Sequence, residues 1–407
     1  MSKSESKNQS NQNIPKIIKT VWLLISVIFI AISQPVAALS NIVTIFSSSR
    51  EEFVEVPMVE HKGVIMVPFR KVFESFGAAV TWNENNRTSR AAKQDLTVSV
   101  KIGDNSATVN GSKVTLSTPA KIINATTYVP LDLITNIPGI VLSKPTKTNY
   151  VIWDTEVSIK YHAWTQLSDG LIAHAGGGLY KIEKNGEKTA QIYTNSKEAL
   201  INSYHNGHRV FEMDFLLTSD GKLAAVHDWP RVGGKKSSDE WKNFKIYDTY
   251  TSMFIEDVYQ FMLEHPDAFL VTDTKSFAYS DKDKIRQFEE IVKAAEKMDK
   301  SLLNRIVPQV YDQNCYHILM EVHPFESVIY TLYESPDTDK EVVDFVAKYD
   351  NIKVVTMEWY RYTEEFYDDL TKLSKYIYFY TINVPKEIER FRSWGVHGFY
   401  TDYMNPK

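Results

Sequence analysis

Cysteine is almost absent: Cys315 is the only one in 407 residues, so no disulfide within the chain can hold it together. A lone thiol of this kind reads as a small buried apolar side chain. A basic stripe is also missing. The formal charge is −5, and the first 38 residues contribute four Lys and one Glu, so the remainder carries −8. Such an acidic chain offers nucleic-acid phosphates nothing to bind, and nucleic acid is excluded as a partner. No low-complexity tract follows the N-terminus, and 43% hydrophobic with 13% aromatic residues is enough to fill real cores. A chain of 407 residues predicts two or three domains.

Long hydrophobic runs are lacking with one exception, Val21 to Leu39. Lys3, Lys7, Lys16 and Lys19 precede it and Val36-Ala37-Ala38 supplies small residues at its end. Residues 1–38 therefore read as a secretory signal, with an uncleaved anchor as the alternative. Either reading predicts a protein that is secreted or held at the cell surface, outside the cytoplasmic membrane.

What is present centres on Arg209 to Asp228, RVFEMDFLLTSDGKLAAVHD. It opens as a strand, turns at Ser219-Asp220-Gly221 and runs on into His227-Asp228. Side chains alternate along a strand, so Glu212 and Asp214 face the same way. Two carboxylates held that close call for a positive charge between them, and a hard divalent cation with oxygen ligands suits them. Upstream, Leu171-Ile172-Ala173 ends in His174 and three glycines; downstream, Phe269-Leu270-Val271-Thr272 ends in Asp273-Thr274-Lys275. Strand ends that each deliver a His, an acid or a base are what an α/β barrel places at its C-terminal rim. From Leu171 onward, apolar β-type runs alternate with helical patterns such as Asp281 to Met298, and eight strands can be counted. Asn195-Ser196-Lys197-Glu198 reads as an N-cap and capping-box pair that opens a helix to about Tyr204.

These motifs resemble the glycerophosphodiester phosphodiesterases, which carry H-x-G-G, E-x-D, H-D and E-x-K in that order. Tyr380-Thr381-Ile382-Asn383 and Gly395-Val396-His397-Gly398-Phe399-Tyr400-Thr401-Asp402 resemble the sequences that close that family's barrel. The resemblance implies a (β/α)8 TIM barrel of the phospholipase C-like type over 165–407. It further implies an exported, metal-dependent phosphodiesterase that releases glycerol 3-phosphate and an alcohol. Glu212, Asp214 and Asp273 would hold one Ca²⁺ or Mg²⁺, and His174 and His227 would be the acid–base pair. Lys275, Gln309, Tyr380 and Asn383 would bind the substrate, a small glycerophosphodiester or a phospholipid headgroup. By the same resemblance, the substrate's neighbouring glycerol hydroxyl attacks first and water opens the cyclic phosphate. Three positions depart from the family: Ala175 stands where Arg is usual, Thr194-Asn195-Ser196 where E-N-T is frequent, and Asp273 where Glu is usual. Two alternatives stay open: a phospholipase C-like or sphingomyelinase D-like lipase on the same barrel, and a non-catalytic surface-binding protein.

Residues 52–154 have another texture, with short β-type runs and an internal repeat. Val64 to Pro68 and Thr127 to Pro130 each read as a strand leading through a proline into a short helix, the two prolines being 62 residues apart. This pattern resembles the copper amine oxidase N-terminal-like domain, a smaller α+β module. It implies no copper chemistry, because His61 is the segment's only histidine. An attachment or spacer role is expected, with cell-wall or surface contact. After Asp228, Trp229 to Trp241 with Gly233-Gly234 reads as a mobile flap.

Overall fold

The computed structural model describes residues 42–47, 52–94, 96–143, 150–154, 167–182 and 187–407. The expected signal segment lies outside them, and among the described residues no helix is long and apolar enough to cross a membrane.

In the N-terminal part the two repeat copies meet. Val64–Pro68 and Thr126–Pro130 pair antiparallel, Val67 opposite Val129, and each leads into a short helix, Phe69–Ser75 and Asp132–Thr135. Proline ends each strand because it cannot donate to the ladder and its fixed φ suits a helix start. Phe69, Phe73, Leu133 and Ile134 turn from these helices into one core with Val43 and Ile45. A separate four-stranded sheet takes in Ile42–Ser47, upstream of the expected start at Glu52; that strand pairs with Glu52–Pro57 on one side and Tyr150–Asp154 on the other. Ala79 to Thr115 forms a five-stranded antiparallel sheet from successive hairpins.

The C-terminal part is an α/β barrel. Its strands are β1 (Leu171–Ala173), β2 (Val210–Leu217), β3 (Phe269–Asp273), β4 (Ile306–Val310), β5 (Val328–Thr331), β6 (Ile352–Met357), β7 (Tyr376–Phe379) and β8 (Gly398–Thr401). All neighbours run parallel, and β8 pairs with β1 to close the ring, Ile172 opposite Tyr400. Seven helices cross between them: α1 (Lys197–His205), α2 (Ile255–Glu264), α3 (Asp281–Met298), α4 (Gln313–Val322), α5 (Asp339–Val346), α6 (Glu364–Lys372) and α7 (Pro385–Ser393). The long α3 spans the predicted residues; the Ser280 hydroxyl accepts from the Asp283 N–H at its start, and Phe288, Ile291, Val292 and Ala295 face the strands.

Alternation along the strands sorts the side chains into two cores. Leu171, Phe211, Met213, Phe215, Leu270 and Phe379 point outward against the helices. Ile172, Val210, Val271, Val307, Ile329, Val354, Tyr378 and Tyr400 fill the barrel itself. Burial of these side chains, each contributing roughly 1.5–3 kcal/mol, fixes the register, and a slip of one residue would turn every interior side chain outward. Two residues beyond the interior layer, the same faces deliver the rim: His174 after Ile172, Asp273 after Val271, Tyr380 after Tyr378 and Asp402 after Tyr400.

The segment after His227 is not a loose flap. β2 turns back antiparallel through Leu223–Ala225, and Trp229, Val232 and Trp241 bury with Leu216, Ile246 and Tyr250 in a cluster of their own. Trp241 is fully covered and donates its indole N–H to the Met253 carbonyl at 2.9 Å. Two aromatic side chains supply an apolar area that holds the segment down.

Candidate active site

The site is assembled at the C-terminal ends of β1, β2, β3 and β8. Parallel register sets Asp214 on β2 opposite Asp273 on β3, and alternation brings Glu212 to the same interior face. Carboxylate oxygens of Glu212, Asp214 and Asp273 lie within 4.8 Å of one another, and all three residues are buried. Glu212 accepts from the Ala175 N–H at 2.8 Å. Asp214 accepts from the Asn195 amide at 2.8 Å, and its own N–H donates to the Asn195 Oδ1 at 2.9 Å.

Lys275 is the counter-charge. Its ammonium lies 2.6 Å from Asp214 Oδ1 and 2.7 Å from Asp273 Oδ2. Burial opposes its charge, yet the three carboxylates hold its pKa well above the ordinary lysine value. Asp273 is further gripped by the Tyr311 hydroxyl, 2.6 and 2.7 Å from its two oxygens. One ammonium among three acids leaves the cluster negative. Burial, and then the charge of Asp214, push Glu212 up to about 8. Asp214 goes the other way: burial opposes its ionisation, but Lys275 and His227 hold it down at about 2. Asp214 Oδ1 is buried and has no hydrogen-bond donor apart from the ion pair with Lys275. Three buried carboxylates within 4.8 Å of one another and with a net negative charge are a fit donor set for a hard divalent cation.

Both predicted histidines reach this rim, each backed by a carboxylate. His174 Nδ1 is 2.9 Å from Asp402, and His227 Nδ1 is 2.8 Å from Asp228. With Nδ1 engaged, Nε2 of each ring is left for chemistry. Burial opposes charge on His174, but its hydrogen bond to Asp402 and the negative Glu212, Asp402 and Asp214 outweigh it, so its pKa is raised above the ordinary histidine value. The Tyr193 ring stands between them, 5.2 Å from His174 and 4.4 Å from His227, centre to centre. Ala175, Tyr193, Asn195 and Lys275 hold positive φ angles of 51°, 59°, 48° and 51°. Such a concentration of left-handed non-glycine backbone is strain stored where side chains must be aimed.

The remaining expected residues take supporting places. The Asn383 amide donates to Asp402 at 2.7 Å and its oxygen accepts from Thr401 and the Asp402 N–H, so it fixes the partner of His174. Gln309 is buried inside the barrel, accepts from Tyr400 at 2.8 Å and sits below Tyr311. Tyr380 is half-buried at the end of β7. The sequence reading overlooked Asp402, Tyr193 and Asn195 as members of the site. Asn195 was read as a helix cap; Ser196 caps α1 instead, accepting from the Ala199 N–H, while Glu198 binds Thr251. A polar Thr194-Asn195-Ser196 just before α1, all three nearly inaccessible, was the available signal.

Residues 185–405 match the family model described as glycerophosphoryl diester phosphodiesterase. The chain belongs to the glycerophosphoryl diester phosphodiesterase family. Residues 47–153 match the copper amine oxidase N-terminal domain model. Among solved structures it is similar to a glycerophosphoryl diester phosphodiesterase from Silicibacter pomeroyi DSS-3, with 16% identity and TM-score 0.46 over 57% of this chain and 89% of that one. An Oleispira antarctica phosphodiesterase, solved in complex with the product sn-glycerol-3-phosphate, is similar at 14% identity and TM-score 0.45, over 57% and 92%. A third, from Galdieria sulphuraria, gives 13% identity and TM-score 0.47 over 58% and 94%. No curated protein matches.

Proposed function

We propose that this phosphoric diester hydrolase is exported and cleaves glycerophosphodiesters to glycerol 3-phosphate and an alcohol, with His174 and His227 as its acid–base pair. The observation that carries the reading is two carboxylate-backed imidazoles on either side of one ring, beside three buried acids within 4.8 Å. A cation held by Glu212, Asp214 and Asp273, Ca²⁺ or Mg²⁺, would supply charge neutralisation to the phosphate oxygens. Lys275 adds a fixed ammonium on the same side, where a missing guanidinium at Ala175 leaves it a larger share of the phosphate charge.

The proton movements follow from the hydrogen bonds. One Nε2 takes the proton of the attacking hydroxyl; the other imidazole delivers a proton to the alkoxide that leaves as the P–O bond breaks. The attacking oxygen is the substrate's own neighbouring glycerol hydroxyl, as the family resemblance implies. Water then opens the cyclic phosphate with the two roles exchanged, so the sum is one diester plus water giving a monoester and an alcohol. Asp402 and Asp228 hold the rings in place, and Asp402 favours the protonated form of His174. Export is supported by the basic-then-apolar segment ahead of Leu39, and the N-terminal domain is proposed to attach or space the barrel at the cell surface.

The roles separate by leaving group. His174→Ala and His227→Ala should each lose about 10²–10⁴-fold on an alkyl diester. On glycerophospho-p-nitrophenol, which leaves without a proton, the variant lacking the general acid should recover and the other should not. Full alkyl-diester activity in either variant would contradict the assignment. N-terminal sequencing of the secreted protein tests export; a purely cytoplasmic protein would overturn it.

A further inference from the structure

The mouth of the barrel has two unlike halves. β8, β1, β2 and β3 deliver the acids, histidines and lysine described above. The opposite arc delivers rings. Tyr311, Tyr333 and Tyr380 follow the interior positions of β4, β5 and β7, and Phe277 follows Lys275 by two residues. Of the eight large hydrophobic side chains exposed among the described residues, six lie in the segments that follow barrel strands: Tyr180, Phe277, Tyr333, Trp359, Tyr360 and Val384. The apolar exposure is therefore concentrated at the mouth.

Within this arc the rings form a connected wall that starts at the carboxylate cluster. Tyr311, which donates to Asp273, lies 4.8 Å from Phe277, Phe277 lies 5.7 Å from Tyr333, and Tyr333 lies 6.3 Å from Tyr380. Two of these contacts, those made by Tyr333, are edge-to-face, which leaves ring faces open. Phe277 and Tyr333 are 39% and 42% exposed. Two carboxylates stand in the wall. Glu358 occupies the corresponding rim position of β6 and accepts from the Tyr360 hydroxyl, and Glu334 adjoins Tyr333. Both act on these hydroxyls: Glu358 and Glu334 raise the pKa of Tyr360, and Glu358 adds to the burial that raises Tyr380. The nearby cation, Arg361, is turned away to Asp339 at 3.1 Å and the Asp337 carbonyl at 2.6 Å. Ring faces together with two carboxylates that no Lys or Arg pairs among the described residues make a negative, largely aromatic surface. Its complement is a cation with no N–H to donate.

We infer that the arc of Phe277, Tyr333, Tyr360 and Tyr380 with Glu334 and Glu358 is a subsite for a quaternary ammonium on the alcohol arm of the substrate, so that the enzyme prefers choline-type diesters. The inference rests on the phosphodiesterase reading and specifies its substrate. The polar arc satisfies the hydroxyls of the glycerol arm, whereas a second glycerol placed against the rings would exchange water for few partners. A quaternary ammonium is drawn to ring faces by their quadrupole, and the carboxylates add a long-range attraction. A free choline-type cation and the choline end of a lysophospholipid share this chemistry.

The test compares glycerophosphocholine with glycerophosphoglycerol on the full chain, by kcat/KM, with choline added as an inhibitor. The expected ratio favours the choline diester by about tenfold or more, as one or two cation–π contacts would give. In the double variant Tyr333→Leu/Glu358→Gln the ratio should collapse toward one, and competitive inhibition by choline should disappear. Because each protein serves as its own reference, a misfolded variant cannot imitate the change. Tetramethylammonium should also raise the thermal midpoint of the wild type but not of the double variant. Equal kcat/KM for both diesters with no inhibition by choline would overturn the subsite while leaving the phosphodiesterase reading intact. Hydrolysis of neither diester would overturn that reading, and the subsite with it. Lysophosphatidylcholine cleaved faster than glycerophosphocholine, with the ratio unchanged in the double variant, would show the rings to be reading an acyl chain and would also overturn it.

Discussion

Replacing Lys275 with Met isolates the electrostatics of the site. The ammonium is the counter-ion of Asp214 and Asp273, at 2.6 and 2.7 Å, and Asp214 is held at about 2 by it despite complete burial. Removing one partner from a buried ion pair costs about 3–5 kcal/mol, because the remaining charge is left without compensation. Glu212, pushed up to about 8, is already largely protonated near pH 7 and adds little repulsion, so the lower end, about 3 kcal/mol, is expected without metal. For a barrel of this size that corresponds to a fall of about 6–12 °C in Tm. Ca²⁺ or Mg²⁺ supplies the missing positive charge and should raise the midpoint of Lys275→Met by more than that of the wild type. Differential scanning fluorimetry in EDTA and in each cation measures both shifts. A midpoint in EDTA within about 1 °C of wild type would refute the electrostatic account. So would a cation that stabilises the wild type and leaves the variant unchanged.

Four further perturbations follow from the same contacts. Asp402→Asn removes the negative charge that helps hold the His174 pKa above its ordinary value against burial; NMR titration of His174 should show it fall, and an unchanged value would break the proposed pairing. Tyr311→Phe strips a donor from both oxygens of buried Asp273 and should cost about 1–3 kcal/mol in urea unfolding; a neutral change would mean that Asp273 finds another donor. Gly178→Ala puts a Cβ 2.8 Å from the Asp402 carbonyl and 2.4 Å from the Tyr403 ring, so kcat should drop by about tenfold or more through displacement of Asp402; wild-type kcat would contradict the positioning role. His208 and His265 are kept neutral chiefly by burial, at about 4. The unfolded chain therefore binds these protons first, and the stability they contribute is full above about pH 6.5 and lost toward pH 4. Each should cost about 2 kcal/mol at pH 5, and equal urea midpoints at pH 7 and pH 5 would contradict this.

The barrel was legible because its strands are short apolar runs whose polar residues come at the C-terminal ends, and the period of two already placed Glu212 beside Asp214 before Asp273 was brought opposite. The same regularity gave α3 its limits, since Ser280 and four apolar side chains at helical spacing leave little freedom. What stayed hidden were contacts between distant loops. Asp402 meets His174 across 228 residues, and no local pattern announces which barrel end closes over which. Asn195 was misread for a related reason: a short polar residue before a helix is a cap or a long-range partner according to which neighbour holds the backbone, and here Ser196 took the cap. The segment from Trp229 to Trp241 carries Gly and Lys and so imitates a loop, while its two tryptophans bury it. Inward-facing Tyr333 was visible only once alternation could be followed past the end of β5.

The measurement closest to the central claim is release of glycerol 3-phosphate from a panel of glycerophosphodiesters by the full chain, in Ca²⁺, in Mg²⁺ and in EDTA, beside Glu212→Gln. Release that requires one of the cations, stops in EDTA and is lost in Glu212→Gln is the predicted result. Release that continues unchanged in EDTA and in Glu212→Gln, or no release from any diester with either cation, would contradict it.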